Sequence, residues 1–469
     1  MALHDNRVKN GGAIVISILS VGDWHSERGD QCRTRNTSKG TYIARFPIGH
    51  SGFPSLNTND GHCPTSLPYH RSMSILYHYV SYYGVLTFLC EINSDMEDSM
   101  QTASDLNLSE RKVLDIIWRL GPIARTDIGP LTSLSTMSVS RITRELADRG
   151  LLSEEVHRSG GRGQPSRPLI IKSDAACSAG VYFSSRGLQV GLIDLSGQLL
   201  AHDSVAVEAS RPIDVARAAA ERISYFCKQE GIPEEKIVGV GFALPGDFIA
   251  DRKRLNAHAM FPGFRGNDLE AELQAGINKP VYVENDAASA ALGERLLGVG
   301  QTINHFFFAH IGHGIGGGLV LDGRLYRGAR GNAGIIGVQF PNDQPRPSGQ
   351  DLFAFLQKNG VEASDFEDLE FLRPQTCPPL KTWIARASAQ LRERLWITAR
   401  ILDPNAIIIG GRLPFHILQE VVARVDDETF CNEGVDLPRP KVFASSLGPL
   451  AGVVGAAVLP LYSRYFISD

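Results

Sequence analysis

The chain of 469 residues has no C-x-x-C pair. Its seven cysteines (Cys32, Cys63, Cys90, Cys177, Cys227, Cys377 and Cys431) are odd in number and far apart. That spacing excludes a disulfide framework and a cysteine-rich zinc site, and it fits a reducing, cytoplasmic compartment. An excess of one charge is also missing. Lys and Arg total 47 against 51 Asp and Glu, a net charge of -4, so any nucleic-acid surface must be local. Long apolar runs are scarce. Met73 to Ile92 has no charge before Glu91, but it carries Ser74, His78, Ser81 and four tyrosines. Ala13 to Val21, behind Arg7 and Lys9, is only loosely shaped like a signal peptide. Neither is read as a targeting or membrane segment, and no membrane partner is expected. Hydrophobic residues at 43% and charged residues at 21% exclude a disordered chain, and the length suggests roughly three domains.

Residues 1–104 are rich in Ser, Asn, His, Tyr and Cys and show no sustained period of 2 or 3.6. They read as a poorly ordered extension or as translation called too early, with a start at Met96 or Met100 instead. No function is assigned to them.

Residues 105–173 read as a compact unit. Ser109 is the expected N-cap of a helix whose apolar face is Val113, Ile116, Ile117 and Leu120, ended by Gly121-Pro122. Ala124 to Thr132 is a second element, and Gly129-Pro130 predicts that it is short or bent. Val139, Ile142 and Leu146 mark a third helix ending at Gly150, and two strands follow around a glycine-rich turn. Three helices and a β-hairpin form a winged helix-turn-helix plan.

Two stretches of this unit carry nucleic-acid chemistry. From Val156 to Lys172 the chain holds Arg158, Arg162, Arg167 and Lys172 and no acid, with Gln164 in the same turn. Guanidinium groups on a flexible loop follow phosphates or enter a narrow minor groove. On the third helix, Ser135, Thr136, Ser138, Ser140, Arg141 and Arg144 suit base edges and phosphates in a major groove. The expected partner is a double-stranded DNA operator. The competing readings are a solvated loop and an ordinary capped helix.

From residue 174 strands mix with helices in two similar series, about 174–290 and 291–450, with a terminal helix over 450–465. Together they predict a two-lobed α/β module with a cleft. Gly312-His-Gly-Ile-Gly-Gly-Gly318 lies between two strands. Gly314 and Gly316 there let backbone approach a phosphate or sugar, the alternative being a tight hairpin. Asn285 and Asp286 fall between a strand ending at Glu284 and a helix starting near Ala287, a usual place for polar ligand contacts. A carboxylate there accepts from a sugar hydroxyl or removes its proton. The plainer alternative is helix capping.

Gly241-Phe-Ala-Leu-Pro-Gly246, Glu284-Asn-Asp-Ala287, Gly312 to Gly318, Gly331-Asn-Ala-Gly-Ile-Ile-Gly337 and Ile407-Ile-Ile-Gly-Gly411, in this order, resemble the ROK family of repressors, open-reading-frame proteins and sugar kinases. With Gly161-Arg-Gly-Gln-Pro165 in the wing, the chain is similar to the regulator branch. The resemblance implies an actin-like, hexokinase-type ATPase fold behind the winged helix. It also implies a sugar-like effector contacted by Asn285, Asp286 and, in the same cleft, His258.

The family's kinases carry Asp-x-Gly-Gly-Thr after the first strand, where this chain reads Tyr182-Phe-Ser-Ser-Arg186. The family's Glu-x-Gly-His reads Ile335-Ile-Gly-Val338, and no cysteine follows before Cys377. No catalytic residue, zinc site or cofactor is therefore expected. The function implied is a homodimeric or homotetrameric regulator, a repressor of carbohydrate genes. The alternatives are a hexose kinase using ATP and a constitutive regulator with a vestigial module.

Overall fold

The computed structural model describes strands at 13–19, 41–46, 74–81 and 84–91, and residues 106–155, 167–184, 187–207, 211–249, 254–257, 262–265, 268–341, 343–431 and 437–466. The chain divides into two units, 1–104 and 105–469. In the first, β1 (Ala13–Leu19), β2 (Thr41–Phe46), β3 (Ser74–Ser81) and β4 (Gly84–Glu91) form an antiparallel sheet in the order β2-β1-β3-β4. The sequence reading expected no regular element here. The near-membrane-length run from Met73 to Ile92 is divided between β3 and β4, joined at Ser81↔Gly84.

The second unit opens with α1 (Leu108–Leu120). Its N-cap is Asn107, not Ser109. The Asn107 amide oxygen accepts from the Ser109 and Glu110 backbone N–H groups, and Glu110 accepts from the Asn107 N–H at 2.7 Å. This is a complete reciprocal cap. Helix α2 (Arg125–Thr132) spans only 8 residues with Pro130 inside it, which agrees with the expected shortness. Helix α3 (Thr136–Asp148) is capped by Ser135, whose Oγ accepts from Ser138 N–H. Val139, Ile142 and Leu146 are buried as their spacing predicts, and each side chain contributes about 1.5–3 kcal/mol. Strands β5 (Leu152–Glu154) and β6 (Leu169–Ile171) close the winged-helix plan as an antiparallel pair.

Two five-stranded sheets follow. The first holds β7 (Cys177–Ser184), β8 (Gly187–Asp194), β9 (Leu199–Val205), β10 (Ile237–Leu244) and β13 (Val281–Asn285), in the order β13-β10-β7-β8-β9. The second holds β14 (Phe306–Ile311), β15 (Ile315–Leu321), β16 (Arg324–Leu325), β17 (Ala406–Gly411) and β18 (Lys441–Ala444), in the order β16-β15-β14-β17-β18. Within each lobe the strands run 3-2-1-4-5. The first three are antiparallel neighbours and the last two are added in parallel. A repeated sheet of this kind is the two-lobed architecture expected from the sequence. Between the lobe-one strands β10 and β13 lies a small hairpin, β11 (Gly246–Ile249) with β12 (Arg254–Ala257).

Each sheet has its own core. In the first lobe α4 (Pro212–Gln229), against which α5 (Leu269–Gln274) packs, buries Val215, Ala219, Ile223 and Phe226, the predicted face. In the second, α8 (Pro378–Leu402), packed on by α7 (Gly349–Lys358) and α9 (Phe415–Val425), buries Leu380, Trp383, Ala387, Leu391 and Leu395. Helix α6 (Asp286–Leu297) packs on the second sheet, and α10 (Ala451–Tyr465) packs on the first. The two helices lie against each other, so together they form the layer between the lobes. The approach is backbone to backbone. A Cβ built on Gly241 would sit 1.9 Å from the Ala456 carbonyl oxygen, which only a glycine in β10 permits.

The winged helix is fastened to this layer. Trp118 of α1 stacks on Phe466 at the end of α10, with ring centroids 4.4 Å apart. One guanidinium nitrogen of Arg111 donates to the carbonyl oxygens of Ser463 and Phe466, both at 2.9 Å. These carbonyls lie at a helix end, where they lack partners within the helix.

Candidate functional site

Two regions of the second unit hold the residues singled out in the sequence, and the first is α3. Thr136, Met137, Arg141 and Arg144 are exposed along one side of it, with Ser140 half-buried among them. Ser135 and Ser138 share a hydroxyl–hydroxyl hydrogen bond of 2.9 Å, so both serve the cap. Arg141 donates to both oxygens of Glu145 at 2.8 Å, whereas among the described residues no acid pairs with Arg144. Met137, which the sequence reading passed over, is 84% exposed. Arg158, Arg162 and Gln164 lie outside the described residues. Arg167 lies within them and reaches Glu154 at 3.4 Å, while Arg125 holds the other Glu154 oxygen at 2.7 Å. These guanidinium groups, Arg125 first, keep the Glu154 carboxyl below its usual range. The acid-free wing read from the sequence is thus anchored at its base by an acid two residues before it begins.

The second region is the space between the lobes. Asn285 ends β13 and caps α6, its amide oxygen accepting from Ala287 and Ala288 N–H. Its amide nitrogen donates to the Gly246 carbonyl at 2.9 Å. That bond draws the start of β11 to the end of β13. Asp247, the next residue, therefore comes near Asp286, a neighbour that residue order alone does not reveal. Asp286 accepts from Ala287 N–H. Burial first, and the Asp247 charge second, push its carboxyl up to about 7. Burial also raises Asp247. Asn332, in the Gly331 to Gly337 segment of the second lobe, accepts from Phe248 N–H at 2.8 Å and donates to Phe248 C=O at 2.7 Å. This pair spans the lobes beside the two carboxylates. His258 lies outside the described residues.

The glycine segment is shorter as a turn than expected. Ile311 pairs with Ile315, so only Gly312, His313 and Gly314 turn, and Gly316 is a residue of β15. Gly314 faces open space, while Gly316 packs on Ala287 of α6. The hairpin alternative therefore describes this segment, and its backbone lies against the N-terminal turn of α6.

Tyr182 stands where the resemblance places the first acid of the family's kinases. Its ring is buried against Gly452 of α10, where a Cβ would come within 2.4 Å of it. Its hydroxyl lies 3.5 Å from His310 Nε2. Burial, then the Asp286 charge, holds the phenol protonated well above its usual range, and burial lowers His310 to about 4. A neutral phenol and a neutral imidazole offer no carboxylate to steady a magnesium ion, and the ring fills the volume. This position does not fit a metal–nucleotide. The zinc position does not fit its metal either. Val338 is exposed there, and Arg346 spends a guanidinium donor on the Gly337 carbonyl at 3.0 Å. Among the described residues no group of three His, Cys, Asp or Glu side chains is placed to hold a metal.

A cavity of about 520 Å³ opens beside this region, lined by Glu270, Tyr282, Glu284, Arg327, Leu459 and Tyr462. Neither Asn285 nor Asp286 lines it.

Residues 179–462 match the profile of the ROK family. The chain belongs to the ROK family. Residues 106–159 of this ROK protein also match the MarR family, whose place is that of the winged helix. It is 37% identical to the uncharacterized protein y4fQ of Sinorhizobium fredii over 368 residues, covering 78% of this chain and 94% of that one. It is 27% identical to the xylose repressor of Bacillus spizizenii over 234 residues, or 49% of this chain and 59% of that one. Among solved structures it resembles a ROK family transcriptional regulator, a homologue of the Escherichia coli MLC protein. That likeness has a TM-score of 0.59 at 23% identity, covers 78% of this chain and 97% of the other, and concerns the fold. Among the described residues no helix is long and apolar enough to cross a membrane.

Proposed function

We propose that this ROK protein is a DNA-binding transcriptional regulator, a repressor of carbohydrate-related genes, whose two-lobed module binds a sugar or sugar derivative without transferring phosphate. The observation that carries the reading is the fastening of α1 to α10 through Trp118, Phe466 and Arg111, which joins a winged helix directly to the layer between the lobes. The xylose repressor it resembles supports the gene class.

In this reading α3 enters the major groove, and the wing, with Arg158, Arg162, Gln164 and Arg167, follows phosphates or the minor groove. Asp286 takes a sugar hydroxyl, with Asp247 beside it. Asn285 acts mainly by holding the β11 and β13 ends together, since both ends of its amide are engaged. The same ligand is proposed to meet Gly314 and His258, while Gly316 is taken up by its packing on Ala287. Ligand closure of the lobes would shift α6 against α10, and α10 carries the shift to α1. A dimer or tetramer would present two such heads to a symmetric operator. Enzymatic activity forms no part of this reading.

One observation favours a sugar kinase instead: Asp286, pushed up to about 7, suits a general base. A coupled assay of ADP release over hexoses and N-acetylhexosamines separates the two. We expect background turnover. Turnover that disappears in Asp286→Asn establishes the kinase.

A further inference from the structure

The most exposed large apolar side chain of the winged helix stands on the face proposed to read DNA. Met137 is the second residue of α3 and is 84% exposed, so it packs against nothing that would explain an apolar residue there. Its neighbours on the helix narrow what this face can read. The Ser135 and Ser138 hydroxyls are bonded to each other. Arg141 is held by both oxygens of Glu145. That leaves Thr136, Met137, Ser140 and Arg144 to meet base edges.

The first turn of a recognition helix points deepest into the major groove. The only apolar group exposed in that groove is the thymine 5-methyl. A thioether chain is long, unbranched and polarizable, and it can cover a methyl without asking for a hydrogen bond.

We infer that Met137 is a specificity-determining residue, reading the 5-methyl of a thymine in each operator half-site. This rests on the DNA-binding reading above. Arg144, about two turns further along the same face and unpaired among the described residues, then meets a guanine edge or a phosphate. Arg141 contributes little while Glu145 holds it.

The test uses the full chain and a random-sequence duplex library. Sequences that survive rounds of selection define a motif. Each dT of that motif is then replaced by dU, which removes the methyl and nothing else. Affinities are read by fluorescence anisotropy at fixed salt for the wild type, Met137→Ala and Met137→Leu. A dT→dU change in one half-site should weaken the wild type about fourfold, the worth of one buried methyl at ~0.8 kcal/mol. Met137→Ala should bind the dT and dU duplexes equally, and Met137→Leu should keep the preference. Because Met137 packs against nothing, the variants should melt as the wild type does. Indifference of the wild type to every dT→dU change overturns the inference. So does a penalty that persists in Met137→Ala. If selection enriches no motif, the DNA-binding reading itself falls, and the role of Met137 falls with it.

Discussion

The Tyr182 hydroxyl lies 3.5 Å from His310 Nε2, and the two residues stand on the first strands of opposite lobes. The pair crosses the space between the lobes. Tyr182 is supported from behind by Gly452, a residue of the helix that also ends at the winged helix. Tyr182 therefore touches both the facing lobe and the element proposed to carry the ligand signal.

Tyr182 and Gly452 should behave as one unit. Gly452→Ala forces a methyl into the Tyr182 ring and should lower the melting temperature by several degrees. Tyr182→Ala removes the ring and should also destabilise, by about 3–5 kcal/mol for a buried aromatic side chain. In the double variant the new methyl has space. The combined loss should fall short of the sum by at least about 1 kcal/mol. Simple additivity in denaturant unfolding would show that ring and helix are not in contact.

Asp286 gives a pH signature. Its folded-state value, about 7, lies above the ordinary carboxylate value, so the folded chain binds the extra proton between about 4 and 7. Its contribution is present at low pH and is lost as pH rises through 7. Asp286→Asn should therefore raise the melting temperature at pH 8 and change it little at pH 4. An equal effect at both pH values would place the carboxyl in water.

The seam between head and module rests on few groups. Trp118→Ala removes the partner of Phe466 and should cost about 3–5 kcal/mol. The winged helix should then melt apart from the two-lobed module. Calorimetry should show two transitions where the wild type shows one. A single transition at the wild-type temperature would mean that the seam contributes nothing to the coupling.

The two arginines of α3 should differ in effect. Arg144→Ala should weaken DNA binding by roughly 1–3 kcal/mol. Arg141→Ala should cost less, because Glu145 already holds that guanidinium. Equal losses would show that Arg141 leaves Glu145 when DNA arrives.

The apolar periods were legible because the repeat of a single helix marks its buried face whatever that face packs against. Val139, Ile142 and Leu146 on α3, and Val215 to Phe226 on α4, needed nothing distant to be seen. The two strand-rich halves were likewise legible as paired lobes. The Asn107 cap was missed because Ser109, two residues on, offers the same chemistry. What set the site's geometry was not local. Asn285 reaches Gly246 across 39 positions, Tyr182 meets His310 across 128, and Arg111 meets Phe466 across 355. No period or spacing encodes such pairs. The strands of residues 13–91 were missed because Ser, His and Tyr interrupt any alternation.

In the proposed function, ligand bound between the lobes changes the grip of the winged helix on DNA. The direct measurement is fluorescence anisotropy of the full chain on its selected duplex, titrated with a panel of neutral hexoses, pentoses, N-acetylhexosamines and their phosphates. At least one compound should shift the DNA affinity about 5–150-fold, the usual range of coupling between sites. Asp286→Asn should bind the duplex alone as the wild type does and lose that shift. DNA affinity that no sugar moves, or a shift that survives intact in Asp286→Asn, would contradict the account.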